Sequence, residues 1–302
     1  METKVMAMEQ AISRFVHDGD VIVIEGFTHL ICFAAAHEII RQRRRKLTVC
    51  RLTPDLIYDQ LIGAGCVEKL VFSWAGNPGA GPLYALRRAV EQGIPNPLEL
   101  EEYSHYGMVA RLVAGAARLP FYPLRNYMGS DLPRVNPRIK KIACPFTGEV
   151  LAAVPALNPD TAIIHAQRAD ENGNAQIWGL LGVQKEAAFA SRNTIVVAEE
   201  IVDEHIIRSD PNRTLIPGLI VNAVVREPFG CHPSYAQGYY DRDNGFYIRW
   251  REISKDVARF NSYLDEWVYG VRDRAEYVER MGASLAGLKA RARLSAPVNY
   301  GY

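Results

Sequence analysis

Chemistry in this chain centres first on two glycine-bearing turns. One is Glu25-Gly26-Phe27-Thr28-His29, directly after the apolar run Val21-Ile22-Val23-Ile24. The other is Trp74-Ala75-Gly76-Asn77-Pro78-Gly79-Ala80-Gly81, after Leu70-Val71-Phe72-Ser73. Glycine at such places lets backbone N–H groups come close to a ligand. A third polar group is Glu101-Glu102-Tyr103-Ser104-His105-Tyr106. Ser104 has the residue type of a helix N-cap. His105 could act as a base near neutral pH, although a lone histidine at a helix start is more often structural.

Three further groups have both a chemical and a plain reading. In His165-Ala166-Gln167-Arg168-Ala169-Asp170 the arginine could meet an anion. We prefer a strand end that turns through Glu171-Asn172-Gly173-Asn174 as an Asn-Gly hairpin. Glu199 and Glu200 also follow a strand-like run, and a nucleophilic role for either is the minor reading. The basic run Arg41-Gln42-Arg43-Arg44-Arg45-Lys46 could attract phosphates, but cations at a helix end also complement its dipole, which we prefer.

Other chemistries find little support. The seven histidines never pair at i, i+4, no G-x-x-x-x-G-K-[ST] occurs, and Gly76 to Gly81 does not match G-x-G-x-x-G. We therefore expect no metal. Cys32, Cys50, Cys66, Cys144 and Cys231 are odd in number and far apart, and read as reduced core thiols. With 35 basic against 34 acidic side chains the net charge is +1, so no global field attracts nucleic acid or an anionic membrane. The longest apolar stretch, Leu30 to Ala36, is about a third of a membrane span. Met1-Glu2-Thr3-Lys4 lacks a secretory pattern. The expectation is a cytoplasmic protein.

The elements that must position these groups alternate. Strand-like runs at Val21–Ile24, Leu47–Cys50, Leu70–Ser73, Thr161–Ile164 and Thr194–Val197 carry no polar alternation, as suits strands covered on both faces. Helical patterns fall at Met8–His17, Phe33–Arg45, Asp55–Ile62, Leu83–Gln92 and Tyr103–Ala117. This order predicts an α/β fold, a mostly parallel sheet covered by helices. Ligands of such sheets bind beyond the carboxyl ends of the strands, where the glycine turns lie. The proline- and glycine-rich stretch from Leu119 to Pro159 reads as a folded excursion within one domain rather than a linker. Apolar residues from Val257 to Val278 recur at helical spacing, predicting one long amphipathic helix over Lys255–Met281. The residues beyond it read as a loose tail.

Asp18-Gly19-Asp20, the strand after it and Gly26-Phe27 together resemble the A-subunit signature of family I coenzyme A transferases. The resemblance continues through Phe33 to Gln42, Leu61-Ile62-Gly63-Ala64-Gly65, Glu102-Tyr103-Ser104 and Leu119-Pro120-Phe121-Tyr122-Pro123. It extends to Ile164-His165-Ala166-Gln167, Ile177-Trp178-Gly179, Glu199-Glu200-Ile201, Phe229-Gly230-Cys231-His232-Pro233-Ser234, Tyr240-Asp241-Arg242-Asp243-Asn244 and Glu266-Trp267-Val268. These segments look like the A chain type of glutaconate CoA-transferase over about residues 1–283. The resemblance implies the family's CoA-transferase fold, shared with NagB- and RpiA-like proteins. It also implies covalent catalysis: a glutamate attacks an acyl-CoA thioester, a glutamyl-CoA thioester forms, and CoA passes to an acceptor carboxylate. In the family that glutamate lies in a Ser-Glu-Asn-Gly type motif of the companion B subunit, and this chain has no such motif.

Two departures bear on the substrate. Glu25 stands where the signature usually has glycine; it could be an acid or base, but we favour a side chain turned to a salt bridge. Pro78 stands where glutaconate transferases carry serine, which removes a hydroxyl and points away from a dicarboxylic acyl group.

Residues 1–283 are expected to form the A-subunit domain and 284–302 a tail. The chain should pair with a CoA-transferase B subunit in a heterodimer or heterotetramer and bind acyl-CoA and carboxylate substrates. It carries no nucleophile of its own, with Glu25 and His105 the catalytic candidates. Gly26, Phe27 and Thr28 form the pocket floor, Asn77 and Gly79 the facing turn, and Ser104 and His105 the polar wall. Coenzyme A enters as part of the substrate. A thioester or ring-opening hydrolase or decarboxylase on the same scaffold, with His105 and Tyr106 nearest the ring hydrolases' glutamate, is one alternative. A non-catalytic scaffolding role is another.

Overall fold

A computed structural model describes residues 3–290. Its strands are β1 (Val21–Glu25), β2 (Leu47–Cys50), β3 (Val67–Phe72), β4 (Glu99–Glu102), β5 (Phe121–Leu124), β6 (Lys140–Ala143), β7 (Val150–Pro155), β8 (Thr161–Ala169), β9 (Ala175–Gln176), β10 (Asn193–Ile201), β11 (Thr214–Ile216) and β12 (Ala223–Arg226). Parallel pairs run β4-β3-β2-β1-β8-β10-β12. The short antiparallel strands β9 and β11 extend the far end of β8, which completes a nine-stranded sheet.

The apolar strands are covered on both faces, as their lack of polar alternation requires. Ile22, Ile24, Val49, Leu70, Ile163, Ile195 and Val197 face one core, packed by the helices Met8–Phe15, Phe33–Arg41, Leu56–Gly63, Tyr84–Gln92, Asn244–Lys255 and Val257–Leu264. Val23, Val71, Ala162, Ile164, Val196 and Ala198 face the other, packed by His105–Ala116 and Gln184–Ala190. The expected parallel sheet with helical layers is present.

The Leu119–Pro159 stretch folds as a three-stranded antiparallel sheet, β5-β7-β6. Leu124, Ala152, Val154 and Leu157 share the second core with Met108 and Leu112. The Asn-Gly hairpin also forms: Gly173 has φ 93°, and β8 and β9 pair on either side of it.

Four expectations need correction. The long C-terminal helix is broken. It starts at Val257, capped by Asp256, widens into a π turn over Asp265–Tyr269, and restarts at Arg274 behind the new N-cap Asp273. The 3.6-residue apolar pattern survives this break, so periodicity alone could not reveal it. Part of the predicted tail is docked: Ala283–Ala286 form a helical turn, and Asp241 N–H donates to the Leu288 carbonyl at 2.8 Å. The tail from residue 291 on lies outside the described residues. Cys144 is half-buried, whereas the other four cysteines are core residues. Finally, the helix carrying the basic run ends at Arg41. Arg41 pairs with Glu38 at 2.8 Å, and Arg45 donates to the Ala64 carbonyl at 2.8 Å, so the run shapes the exit loop.

Candidate active site

Parallel strands place the turns after β1, β2, β3 and β4 side by side along one sheet edge, in that order. Neighbouring strands are about 4.8 Å apart, so the β1 and β3 turns are about 10 Å apart and the β4 turn stands about 14 Å from β1. The turn of Gly26, Phe27 and Thr28 and the turn of Asn77 and Gly79 therefore stand on either side of the end of β2. Ser104 and His105 lie on the far side.

The first turn is wound tightly. A Cβ on Gly26 would lie 2.5 Å from the Leu30 carbonyl oxygen and 2.7 Å from that of His29, so only glycine fits. Thr28 and Leu30 both have φ 56°, left-handed backbone that is unfavourable for a β-branched residue. Such strain persists only where surrounding bonds hold it. Ser234 donates to the Thr28 carbonyl at 2.8 Å, and Leu30 N–H to the Tyr235 carbonyl at 2.9 Å. His29 is fully buried. Its Nδ1 bonds the Leu180 carbonyl and its Nε2 accepts from Gln237 N–H, both at 3.0 Å, which assigns the neutral Nδ1–H tautomer. Burial lowers its pKa to about 4, in keeping with that neutral form. Phe27 remains partly exposed at the rim.

Beneath the turn is a buried charge cluster that the sequence reading missed. Arg51, just after β2, donates to the Gly26 carbonyl and pairs with Asp55 at 3.2 Å, both side chains being almost fully buried. Asp55 also caps the helix Leu56–Gly63. The i, i+4 spacing of Arg51 and Asp55, around Pro54, was the available signal.

Glu25 belongs to this cluster but does not form the expected salt bridge. It is buried near the Gly26 and Val183 backbone N–H groups, and its Oε2 has no hydrogen-bond partner. Burial raises its pKa to about 7, against the pull of Arg51. The folded chain thus holds this proton at pH values where the unfolded chain has lost it. Stability from this group falls as pH rises from about 4.5 to 7, and a shift of this size is worth ~3 kcal/mol above that window. Glu25→Gln should accordingly raise the unfolding free energy at pH 8 by about 1–3 kcal/mol, with the gain vanishing below pH 4.5. Urea unfolding at both pH values checks this. A variant less stable at pH 8 would mean that Glu25 is charged and paired.

In the second turn, Asn77 is buried and donates to the Tyr247 carbonyl at 2.7 Å. Gly79 has φ 76° with open space around it, so it serves conformation rather than packing. Arg242 donates to the Pro78 carbonyl at 3.3 Å and covers the Tyr247 ring at 3.8 Å. The segment 231–243 therefore touches both turns, through Ser234 and Tyr235 on one side and Arg242 on the other.

Ser104 caps its helix as predicted, accepting from Gly107 N–H at 3.0 Å. His105 is exposed and meets Thr53 Oγ1 at 3.0 Å. The other acids at the strand ends are mostly engaged. Glu101 takes Lys69 at 2.7 Å and Arg111 at 3.0 Å. Glu200 pairs with Arg168 at 2.9 Å, so this arginine is neutralised within the chain. Glu199 accepts from Tyr240 and from Phe229 N–H at 2.8 Å, and meets His165 Nε2 at 2.8 Å. His165, Glu199 and Cys231 do bring ligand-type atoms within 4.8 Å of one another. Both Glu199 oxygens accept hydrogen bonds within the chain, while His165 Nδ1 is buried without a partner. Glu102 is exposed at the end of β4. No helix among the described residues is long and apolar enough to cross a membrane.

A parallel sheet with a strained glycine turn at its carboxyl edge is thus the frame, and comparison identifies the class. The family described as Coenzyme A transferase matches residues 5–227. The chain is 54% identical over 274 residues to the A subunit of 3-oxoadipate CoA-transferase from Pseudomonas knackmussii, covering 91% of this chain and 96% of that protein. It is 36% identical over 300 residues to the A subunit of glutaconate CoA-transferase from Acidaminococcus fermentans, covering 93% of each. The crystal structure of glutaconate CoA-transferase from that organism matches with a TM-score of 0.89 at 36% identity, over 95% of this chain and 96% of that one. The chain belongs to the coenzyme A transferase family. Within it the chain is of the A-subunit type, an enzyme component of CoA transfer.

Proposed function

We propose that this chain is the A subunit of an enzyme that moves CoA between an acyl-CoA thioester and a dicarboxylic acid of the 3-oxoadipate kind. Its companion B subunit supplies the glutamate nucleophile, in a heterodimer or heterotetramer. The named activity of the 54% identical relative supports the substrate class. The observation that carries the division of labour is the state of the strand-end acids: Glu25, Glu101, Glu199 and Glu200 are buried or bonded within the chain. Exposed Glu102 ends β4 beside β3 and about 14 Å from the Gly26 turn. The chain's part is to shape the acyl pocket with Gly26, Phe27, Thr28, Asn77 and Gly79, while Ser104 and His105 border it beyond β3. Glu25 holds the turn from below rather than acting as an acid. Transfer is favoured over hydrolysis, decarboxylation or a purely structural role because the relatives matched at 54% and 36% identity are transferase subunits, whereas the ring-cleaving hydrolase subunits match at 30% or less.

Mass spectrometry of the assembled enzyme, after incubation with 3-oxoadipyl-CoA and borohydride trapping, tests this. The trapped glutamate, reduced to its alcohol with CoA leaving as the thiol, is expected on the B subunit; in a parallel reaction without borohydride, label from acetate is expected in a new thioester. Modification of this chain would overturn the division of labour. In the reaction without borohydride, free CoA without labelled thioester would overturn transfer.

A further inference from the structure

Arg242 is a cation without a counter-ion, set where the substrate must lie. It is partly exposed and forms no ion pair among the described residues. Its Nε is buried with no hydrogen-bond partner. Asp55, the acid that acts on it, is already paired with Arg51 at 3.2 Å. Glu25 holds its proton up to about pH 7. Counting Arg51 and Arg242 against Asp55 leaves one positive charge in excess below that pH. A partly buried guanidinium of this kind is best satisfied by a carboxylate in a two-pronged contact.

The position adds a second argument. The same loop ties the Gly26–Leu30 turn through Ser234 and Tyr235, while Arg242 reaches the Asn77–Gly81 turn through the Pro78 carbonyl. Pro78 offers no hydroxyl, but its carbonyl and the Tyr247 ring aim the guanidinium. We propose that Arg242 anchors the far carboxylate of a dicarboxylic acyl group and so sets acyl specificity, a role that rests on the transferase reading above. This proposal runs against the expectation drawn from Pro78 alone, that the acyl group is not a dicarboxylate.

The test uses the enzyme assembled with its companion chain, and labelled acetate as acceptor. Two matched donors, 3-oxoadipyl-CoA and 3-oxohexanoyl-CoA, differ only by a terminal carboxylate in place of a methyl group. Wild type should prefer the first in kcat/KM. Arg242→Met should reduce that preference by about 100-fold, chiefly through KM, as expected for loss of a charged partner, and Arg242→Lys should restore part of it. Equal losses on both donors would point to a contact with CoA phosphates or to a structural role, and would overturn the proposal while leaving the transferase reading intact. A wild-type enzyme that prefers 3-oxohexanoyl-CoA would overturn the dicarboxylate assignment and Arg242's role together. Transfer from neither donor would overturn the transferase reading and the anchor that rests on it.

Discussion

Arg51→Met should destabilise the chain by about 3–5 kcal/mol, the cost of leaving a buried acid without its cation. Arg51 is 2% exposed; its loss would orphan both the Gly26 carbonyl and Asp55. The partner substitution tells pairing from packing. Asp55→Asn removes the buried negative charge while keeping an oxygen for the helix cap, so the double variant should be less damaged than the sum of the singles, by about 1–3 kcal/mol. Urea midpoints at constant m measure this. Additive losses would show that Arg51 acts by filling space alone. Because Arg51 also holds the Gly26 carbonyl, activity of the assembled enzyme should fall under conditions where the variant is still folded.

Gly26→Ala should lower kcat of the assembled enzyme by about 100-fold and cost about 3 kcal/mol of stability, the upper part of the range for overpacking. The added methyl group would meet two backbone oxygens, which cannot rotate away as a side chain does. The turn must therefore open, and any donor it aims at a developing oxyanion moves with it; one such donor is worth about 100- to 1,000-fold in rate. Gly79→Ala is the matched control. Its Cβ meets nothing within 4 Å, and the only cost is the φ of 76°, about 1 kcal/mol. Steady-state kinetics and thermal melts of both variants decide the matter. Comparable losses of stability from the two would show that the close approach at Gly26 carries no cost of its own.

The fold was largely legible because its signals are local. Val21–Ile24, Leu47–Cys50, Thr161–Ile164 and Thr194–Val197 are unbroken apolar runs, and each lies within an observed strand. Alternation with helical patterns then implies the parallel order. What failed were features fixed by tertiary partners. The π turn at Asp265–Tyr269 and the restart at Asp273 keep the apolar spacing of a continuous helix. The docked residues after Ala283 owe their place to Tyr239 and Asp241, and nothing in their own pattern announces it.

The candidate site was legible in part for the same reason. Gly26 and Gly79 stand out as glycines after strands, but one is required by packing and the other by φ, and only coordinates separate the two cases. Ser104 is visible as a cap because capping is a matter of three residues. Arg51 and Asp55 are neighbours at i, i+4, but Glu25 and Arg242 join them from distant parts of the chain, and that grouping depends on how β1, β2 and β3 lie side by side. The substitution of Glu for Gly at 25 was visible, yet its consequence was misjudged. Arg51 faces Glu25 but is already committed to Asp55 and to the Gly26 carbonyl.

The central position of β1 also bears on how the chain is made. One edge of β1 is covered early by β2, but the other waits for β8, whose register pairs Glu25 with Ile164. At roughly 5–20 residues per second, the ribosome takes about 7–28 s to deliver that partner. Until then the strand that carries the Gly26 turn has an open, apolar edge, and long-range parallel pairing of this kind is slow to form and prone to aggregation while it waits. The tight Gly26 turn must wait longer still, because Ser234 and Tyr235, which bond Thr28 and Leu30, are made after β8.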